Sequence, residues 1–267
     1  MRLDRVDDGR DFDWGKTSGD YAVYRPGYPE SFYDALAALG VGLPGQRILD
    51  LGTGTGVLAR AFARRGAAVR GLDIAANQIE QARLLAAAEG LDIPFDAIPA
   101  EAAEFPLASF DAISAGQSWL YFDSSALIPK VLRWLAPEGL LVLTHLNWLP
   151  FRDPIAQQSE ALVLRYNPNW KGAAYRGQIA PLLLWAQGHF DLKTFHLIHQ
   201  PLPFTRDSWR GRIRACRGVG AALSPEQTEA FDAEHAALLQ RIAPERFTIL
   251  HQMSIHIYTR KGQIVDP

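Results

Sequence analysis

The run at residues 48–56, ILDLGTGTG, constrains this chain more than any other stretch. An apolar strand pattern ends in Asp50. Glycines at alternate positions, Gly52, Gly54 and Gly56, then lead into the helical pattern VLARAFARR. Glycine admits positive φ, and without a Cβ it lets a ligand lie against the backbone. A strand, a glycine turn and a helix in that order build a nucleotide-sized pocket at the carboxyl edge of a parallel sheet.

The rest of the chain fits that unit into a larger α/β pattern. Strand candidates at 46–51, 68–73, 95–99, 110–115 and 139–145 are separated by amphipathic helices. Val57, Leu58, Ala61 and Phe62 carry helical spacing after the first strand, and Leu127, Val131, Trp134 and Leu135 carry it before the fifth. Such alternation predicts a doubly wound, mostly parallel sheet with helices on both faces. The alternation breaks after His145. Residues 146–190 are rich in Trp, Tyr, Arg, Pro and Gly, and further strand candidates lie at 194–202 and 247–260. Between those two, Ser224, Pro225 and Gln227 supply an N-cap, a first-turn proline and a capping-box partner. The reading is a single α/β domain with a seven-stranded, Rossmann-like sheet whose last strand is antiparallel. Residues 1–145 form the ligand-binding half with an N-terminal lid segment. Residues 146–267 supply helical lid insertions and the last two strands.

Composition excludes several classes of function. A chain of 267 residues that is 48% hydrophobic can bury a full core. Its net charge of −2 gives no electrostatic footprint for nucleic acid or an anionic membrane. Five arginines crowd residues 206–217, and they read as the solvated face of a helix. No apolar run approaches the ~20 residues of a membrane span, and the N-terminus lacks a signal-peptide pattern. The single cysteine, Cys216, excludes an internal disulfide and a multi-thiolate metal site. His196 with His199, and His251 with His256, fall on opposite strand faces, so no metal site follows. The expectation is a cytoplasmic protein with a small-molecule partner.

The spacing of the glycines selects the nucleotide. A dinucleotide fingerprint needs its third glycine at position 57, where this chain has Val57. Asp73 ends the second strand in GLDIA, where an acid can accept from both ribose hydroxyls. Here the chain resembles the class I S-adenosylmethionine-dependent methyltransferases, over about residues 11–145. AEAAEFPLASFD at 100–111 resembles the loop whose backbone amide and acid reach the adenine. GQSWLYFD at 116–123 and YAVYRPGYP at 21–29 resemble segments of a small-molecule branch, the second closing over the methionine part of the cofactor. The resemblance implies S-adenosylmethionine held by Tyr21, Arg25, Asp50, Gly52, Gly54, Gly56, Asp73, Ile74, Ala100, Glu101 and Gln117.

Methyl transfer from a sulfonium is an in-line displacement, to which positioning alone can contribute about 7–11 kcal/mol. His145, at the carboxyl end of the fifth strand, is the candidate general base. Trp14, Trp119 and Tyr121 are candidate rings near the sulfonium. Trp148, Arg152 and Tyr175 are candidates for the acceptor pocket. The polar N-terminal segment is expected to gain its order when a ligand brings an anion to Tyr21 and Arg25. Two other readings compete. One is a catalytically silent S-adenosylmethionine-binding regulator, since Leu120 stands where a histidine is common. The other is a nicotinamide-dependent dehydrogenase, which Val57 disfavours.

Overall fold

The computed structural model describes Asp7 and residues 12–262. Its helices are α1 (Ser18–Tyr24), α2 (Glu30–Ala38), α3 (Val57–Arg64), α4 (Ala76–Ala88), α5 (Ser124–Trp134), α6 (Pro154–Tyr166), α7 (Arg206–Arg214) and α8 (Pro225–Ile242). Its strands are β1 (Arg47–Leu51), β2 (Ala68–Asp73), β3 (Phe95–Ala97), β4 (Phe110–Gly116), β5 (Leu135–Trp148), β6 (Phe190–Thr205) and β7 (Arg246–Arg260). They form one seven-stranded sheet in the order β3-β2-β1-β4-β5-β7-β6. β1 runs parallel to β2 and β4, β2 to β3, and β4 to β5. The last strand is antiparallel, as the sequence pattern predicts. β3 ends earlier than its pattern suggests, at Ala97. Pro99 just beyond it has no N–H to give a ladder. The last three strands run longer than their apolar cores.

The chain winds outward from β1 through β2 to β3, then returns to β4 on the other side of β1. That reversal makes the carboxyl ends of β1 and β4 the switch point of the sheet, where such folds bind ligands. The glycine turn lies there.

The chain divides into two compact units. One holds Gly27–Leu146, Ile179–Leu197 and the described residues from Ser254 onward. In it, β1 is buried at every position but its first, as a strand covered on both faces must be. Leu49, Leu51, Leu72, Ile113, Leu141, Trp134 and Tyr258 pack into a common core. α3 buries Leu58, Ala61 and Phe62, and α5 buries Leu127, Val131 and Trp134, as their spacing predicts. Asp123 caps α5 by accepting from the amides of Ser125 and Ala126.

The other unit holds the described residues up to Pro26, with Asn147–Gln178 and Ile198–Met253. Asp153 caps α6, and its second oxygen accepts from the Leu250 amide at 3.0 Å. Ser224 and Gln227 form the expected capping box on α8. At the centre, the buried Trp209 indole donates to Ser159 Oγ at 2.9 Å, and that oxygen lies 3.0 Å from His235 Nε2. The aromatic stretch 146–190 is therefore shared. Its part up to Gln178 belongs here, and from Ile179 it packs with the sheet.

One sequence expectation changes in this unit. The arginines of 206–217 are not a solvated helix face. Arg212 is buried, Arg210 and Arg214 pair with Asp232, and Arg217 pairs with Asp7. The N-terminal stretch also has partners within the protein. Arg214 grips Asp20 through two hydrogen bonds of 2.6 Å, and the Asp13 amide donates to Ala221 O at 2.9 Å.

At the switch point, Gly52 has φ +62° and a Cβ there would lie 2.4 Å from Ser118 Cβ. Gly45 has φ +77° with open space around it. Gly45→Ala should cost about 1 kcal/mol of strain alone. Gly52→Ala should cost a further ~1–3 kcal/mol for the overlap. Urea unfolding of both variants measures this, and equal losses would remove the steric role of Ser118.

Candidate functional site

Asp50 is the penultimate residue of β1 and the only charged one in its buried run. It is 2% exposed. Its two oxygens accept from Thr53 Oγ1 at 2.6 Å and Ser114 Oγ at 2.7 Å. Burial pushes its pKa up to about 6, and the two hydroxyls partly oppose that rise. The sequence reading placed Asp50 in the cofactor set. In the structure both of its oxygens take up hydroxyls that brace the turn to β4.

The turn rises over that brace. Gly52, Gly54 and Gly56 all have positive φ, at 62°, 55° and 76°. Alternate glycines are what this backbone path requires, since other residues enter that region at a penalty. Thr53 N donates to Leu72 O at 2.8 Å, tying the turn to β2, and Ser118 Oγ donates to Leu51 O at 2.7 Å. Asp73, at the end of β2, accepts from Gly54 N and Ala75 N, both at 2.9 Å. Burial raises its pKa while these amides pull it down. Each carboxylate oxygen has two lone pairs, so each keeps one for a further donor. Ile74 beside it is 55% exposed.

The other predicted residues of this unit take distinct places. Gln117 follows β4 with φ +58°, its amide donating to Thr144 O at 2.9 Å and its side chain to Leu146 O at 2.6 Å. Ala100 is buried in a 3₁₀ turn, and Glu101 accepts from the Asp123 amide at 2.8 Å. Tyr121 is half-buried. Trp119 joins the core instead of lining a pocket: it stacks on Trp185 with ring centroids 4.4 Å apart, and its N–H goes to Ser124 Oγ. His145 Nδ1 lies 3.1 Å from Ser254 Oγ. Burial and the neighbouring His256 lower its pKa to about 4, so its imidazole is neutral at pH 7.

In the second unit, Trp14, Tyr21 and Arg25 come together. Trp14 and Tyr21 meet edge to face at 6.1 Å, and the Arg25 guanidinium sits 4.8 Å above the Tyr21 ring. Trp148 is buried, donating to Glu160 Oε1, while Glu160 Oε2 accepts from Ala174 N at 2.8 Å. Tyr175 donates to Gln252 Oε1. Arg152 is exposed on the turn before α6.

Sequence reasoning missed Thr53, Ser114 and Ser118, the small polar residues that brace the turn. The hydroxyl between two of the glycines was their one visible sign. It also missed Tyr28, the last tyrosine of YAVYRPGYP, whose hydroxyl lies 2.9 Å from Thr144 Oγ1 in β5.

Residues 48–139 match a family described as a methyltransferase domain. A ubiquinone biosynthesis O-methyltransferase of Neisseria meningitidis is 37% identical over 188 residues, 66% of this chain and 78% of that protein. The chain is a class I S-adenosylmethionine-dependent methyltransferase. Its counterpart of the same name from Xanthomonas campestris is 34% identical over 179 residues, 65% of this chain and 72% of that one. A structure described as a candidate type II methyltransferase, from Anaeromyxobacter dehalogenans, shares the fold. Its TM-score is 0.61 and its identity 22%, over 88% of this chain and 97% of that one. The methyltransferase moves a methyl group from S-adenosylmethionine to a small-molecule acceptor. The family match removes the nicotinamide and silent-regulator readings. Among the described residues, no helix is long and apolar enough to cross a membrane.

The Asp50 brace has a pH signature. Its folded pKa, about 6, lies above its unfolded value, so the native state holds the proton more tightly. Its contribution to stability therefore falls as pH rises from about 4 to about 6, and is flat above. Asp50→Asn should gain on wild type across that window, by order 1–3 kcal/mol. Denaturant titrations at a series of pH values test this, and parallel curves would contradict it.

Proposed function

We propose that this methyltransferase acts on a hydroxyl of an aromatic acceptor, with the cofactor seated on the glycine turn and its ribose on Asp73. The observation carrying this reading is the Asp73 carboxylate, fixed by Gly54 N and Ala75 N at 2.9 Å each with lone pairs left for two hydroxyls. Ile74, Ala100 and Glu101 then flank the adenine. Gly52, Gly54 and Gly56 give the backbone room to approach. Gln117 takes the methionine end and Tyr121 supplies a ring for the sulfonium; in the other unit, Tyr21 and Arg25 meet an anion during catalysis. The hydroxyl acceptor is supported by the names of the relatives from Neisseria and Xanthomonas. Trp148 and Tyr175 belong to the acceptor side.

In the step itself the acceptor oxygen forms a bond to the methyl carbon as the carbon–sulfur bond breaks, leaving S-adenosylhomocysteine. The hydroxyl proton goes to His145, whose ring is neutral at pH 7 and is oriented by Ser254. A net charge of −2 supports a small molecule over nucleic acid as partner. One buried cysteine gains nothing from an oxidising compartment, which supports a cytoplasmic setting.

Incubation with S-adenosylmethionine and 3,4-dihydroxybenzoate should give S-adenosylhomocysteine and a methyl ether in equal amounts. His145→Gln should slow turnover by about 100-fold or more with cofactor affinity retained. The wild-type rate should show no arm near pH 6.5 from this residue. Formation of S-adenosylhomocysteine with amine acceptors but with no hydroxyl compound would overturn the O-methylation reading.

A further inference from the structure

The five arginines of 206–217 are not equivalent. Arg206 lies 3.7 Å from Glu245, Arg210 2.7 Å from Asp232, Arg214 2.6 Å from Asp20, and Arg217 2.6 Å from Asp7. Arg212 is the most enclosed of them, 5% exposed, and no carboxylate pairs with it among the described residues. Its Nε is buried without a hydrogen-bond partner. Its guanidinium lies 4.8 Å above the Trp148 ring, a contact that covers a face and leaves the N–H edges unused.

A second cation stands beside it. Gly211 lets the Tyr24 ring lie directly on α7, where a Cβ would come within 2.1 Å of it, and Arg25 is the next residue along the chain. Arg25 likewise makes no ion pair among the described residues, resting on the Tyr21 ring. Burial and the charge of Arg25 lower the Arg212 pKa to about 10, so its guanidinium stays charged at neutral pH. His251 faces the same place. Burial lowers its pKa and both arginines add to that, its Nδ1 is 2.8 Å from Ile249 O, and its Nε2 is buried and unpartnered. It adds no negative charge. Glu160, the nearest buried acid along Trp148, already accepts from the indole and from Ala174 N. An enclosed cation with a second, half-buried one beside it and no anion is unfavourable unless a ligand supplies one.

We propose that Arg212 and Arg25 form a buried receptor for a carboxylate, which the planar edge of Arg212 binds through paired N–H donors. Two molecules in this reaction can bring that group, an acidic methyl acceptor or the methionine end of the cofactor. The inference rests on the reading above that Arg25 meets an anion during catalysis, and it adds Arg212 as the principal ligand.

The indole N–H resonance of Trp148 reports on the receptor directly. Sodium acetate and sodium benzoate, titrated at an ionic strength held constant with chloride, should shift it saturably in the wild type. Arg212→Met should abolish the shift, and Arg25→Met, at a half-exposed site, should weaken the binding by about 10-fold or more. Calorimetry with S-adenosylhomocysteine on the same variants separates the sources. A 10- to 100-fold loss in Arg212→Met assigns the receptor to the cofactor, and unchanged affinity with lost carboxylate binding assigns it to the acceptor. If neither the carboxylates nor S-adenosylhomocysteine senses either substitution, the receptor does not exist. Should S-adenosylhomocysteine fail to bind even the wild type, the cofactor reading falls while the acetate and benzoate titrations still decide the receptor.

Discussion

The hydrogen bonds that Thr53 and Ser114 donate to the buried Asp50 carboxylate underlie the rest of the site. A lone carboxylate in the interior is expensive, and two short hydroxyl contacts are what make it tolerable at this depth. They also join three elements: the end of β1, the turn beyond it, and the middle of β4. With that join made, the three glycines follow one left-handed path, and the Gly54 amide points at Asp73. Removing the brace would free the turn from β4, and the acid at the end of β2 would lose a fixed partner.

The same logic, charge held by geometry, organises the second unit differently. Acidic residues of its N-terminal stretch and of α8 neutralise arginines on and just beyond α7, so most of that charge is structural. The exception, Arg212, stands out because its neighbours are so fully paired. A cation with an aromatic face beneath it and no paired acid among the described residues is an incomplete arrangement, and incompleteness is the mark of a place that awaits a ligand.

The sheet was readable because strands and helices alternate with two different periods, and because Gly52, Gly54 and Gly56 admit few backbone paths. Asp73 and the capping box at Ser224 were readable for a similar local reason. Trp119 and Arg212 were not. An aromatic side chain carries the same letter whether it plugs a core or lines a pocket, and only Trp185, 66 positions away, decides between them for Trp119. An arginine-rich run carries no sign of which member is turned inward. That depended on Asp7, Asp20 and Asp232, which are distant in sequence and near in space. Asp50 lay between the two cases: its position was visible, but its inward orientation needed Ser114.

The central claim is that Asp73, held on the glycine turn, reads the ribose of the cofactor. The most direct measurement is calorimetric affinity for S-adenosylhomocysteine and for its 2′-deoxy analogue, on wild type and on Asp73→Ala. A hydrogen bond to a charged group is worth roughly 1.5–3 kcal/mol, so the wild type should prefer the hydroxylated ligand by about 10-fold or more. In Asp73→Ala that preference should vanish. The same preference in both proteins would contradict the account.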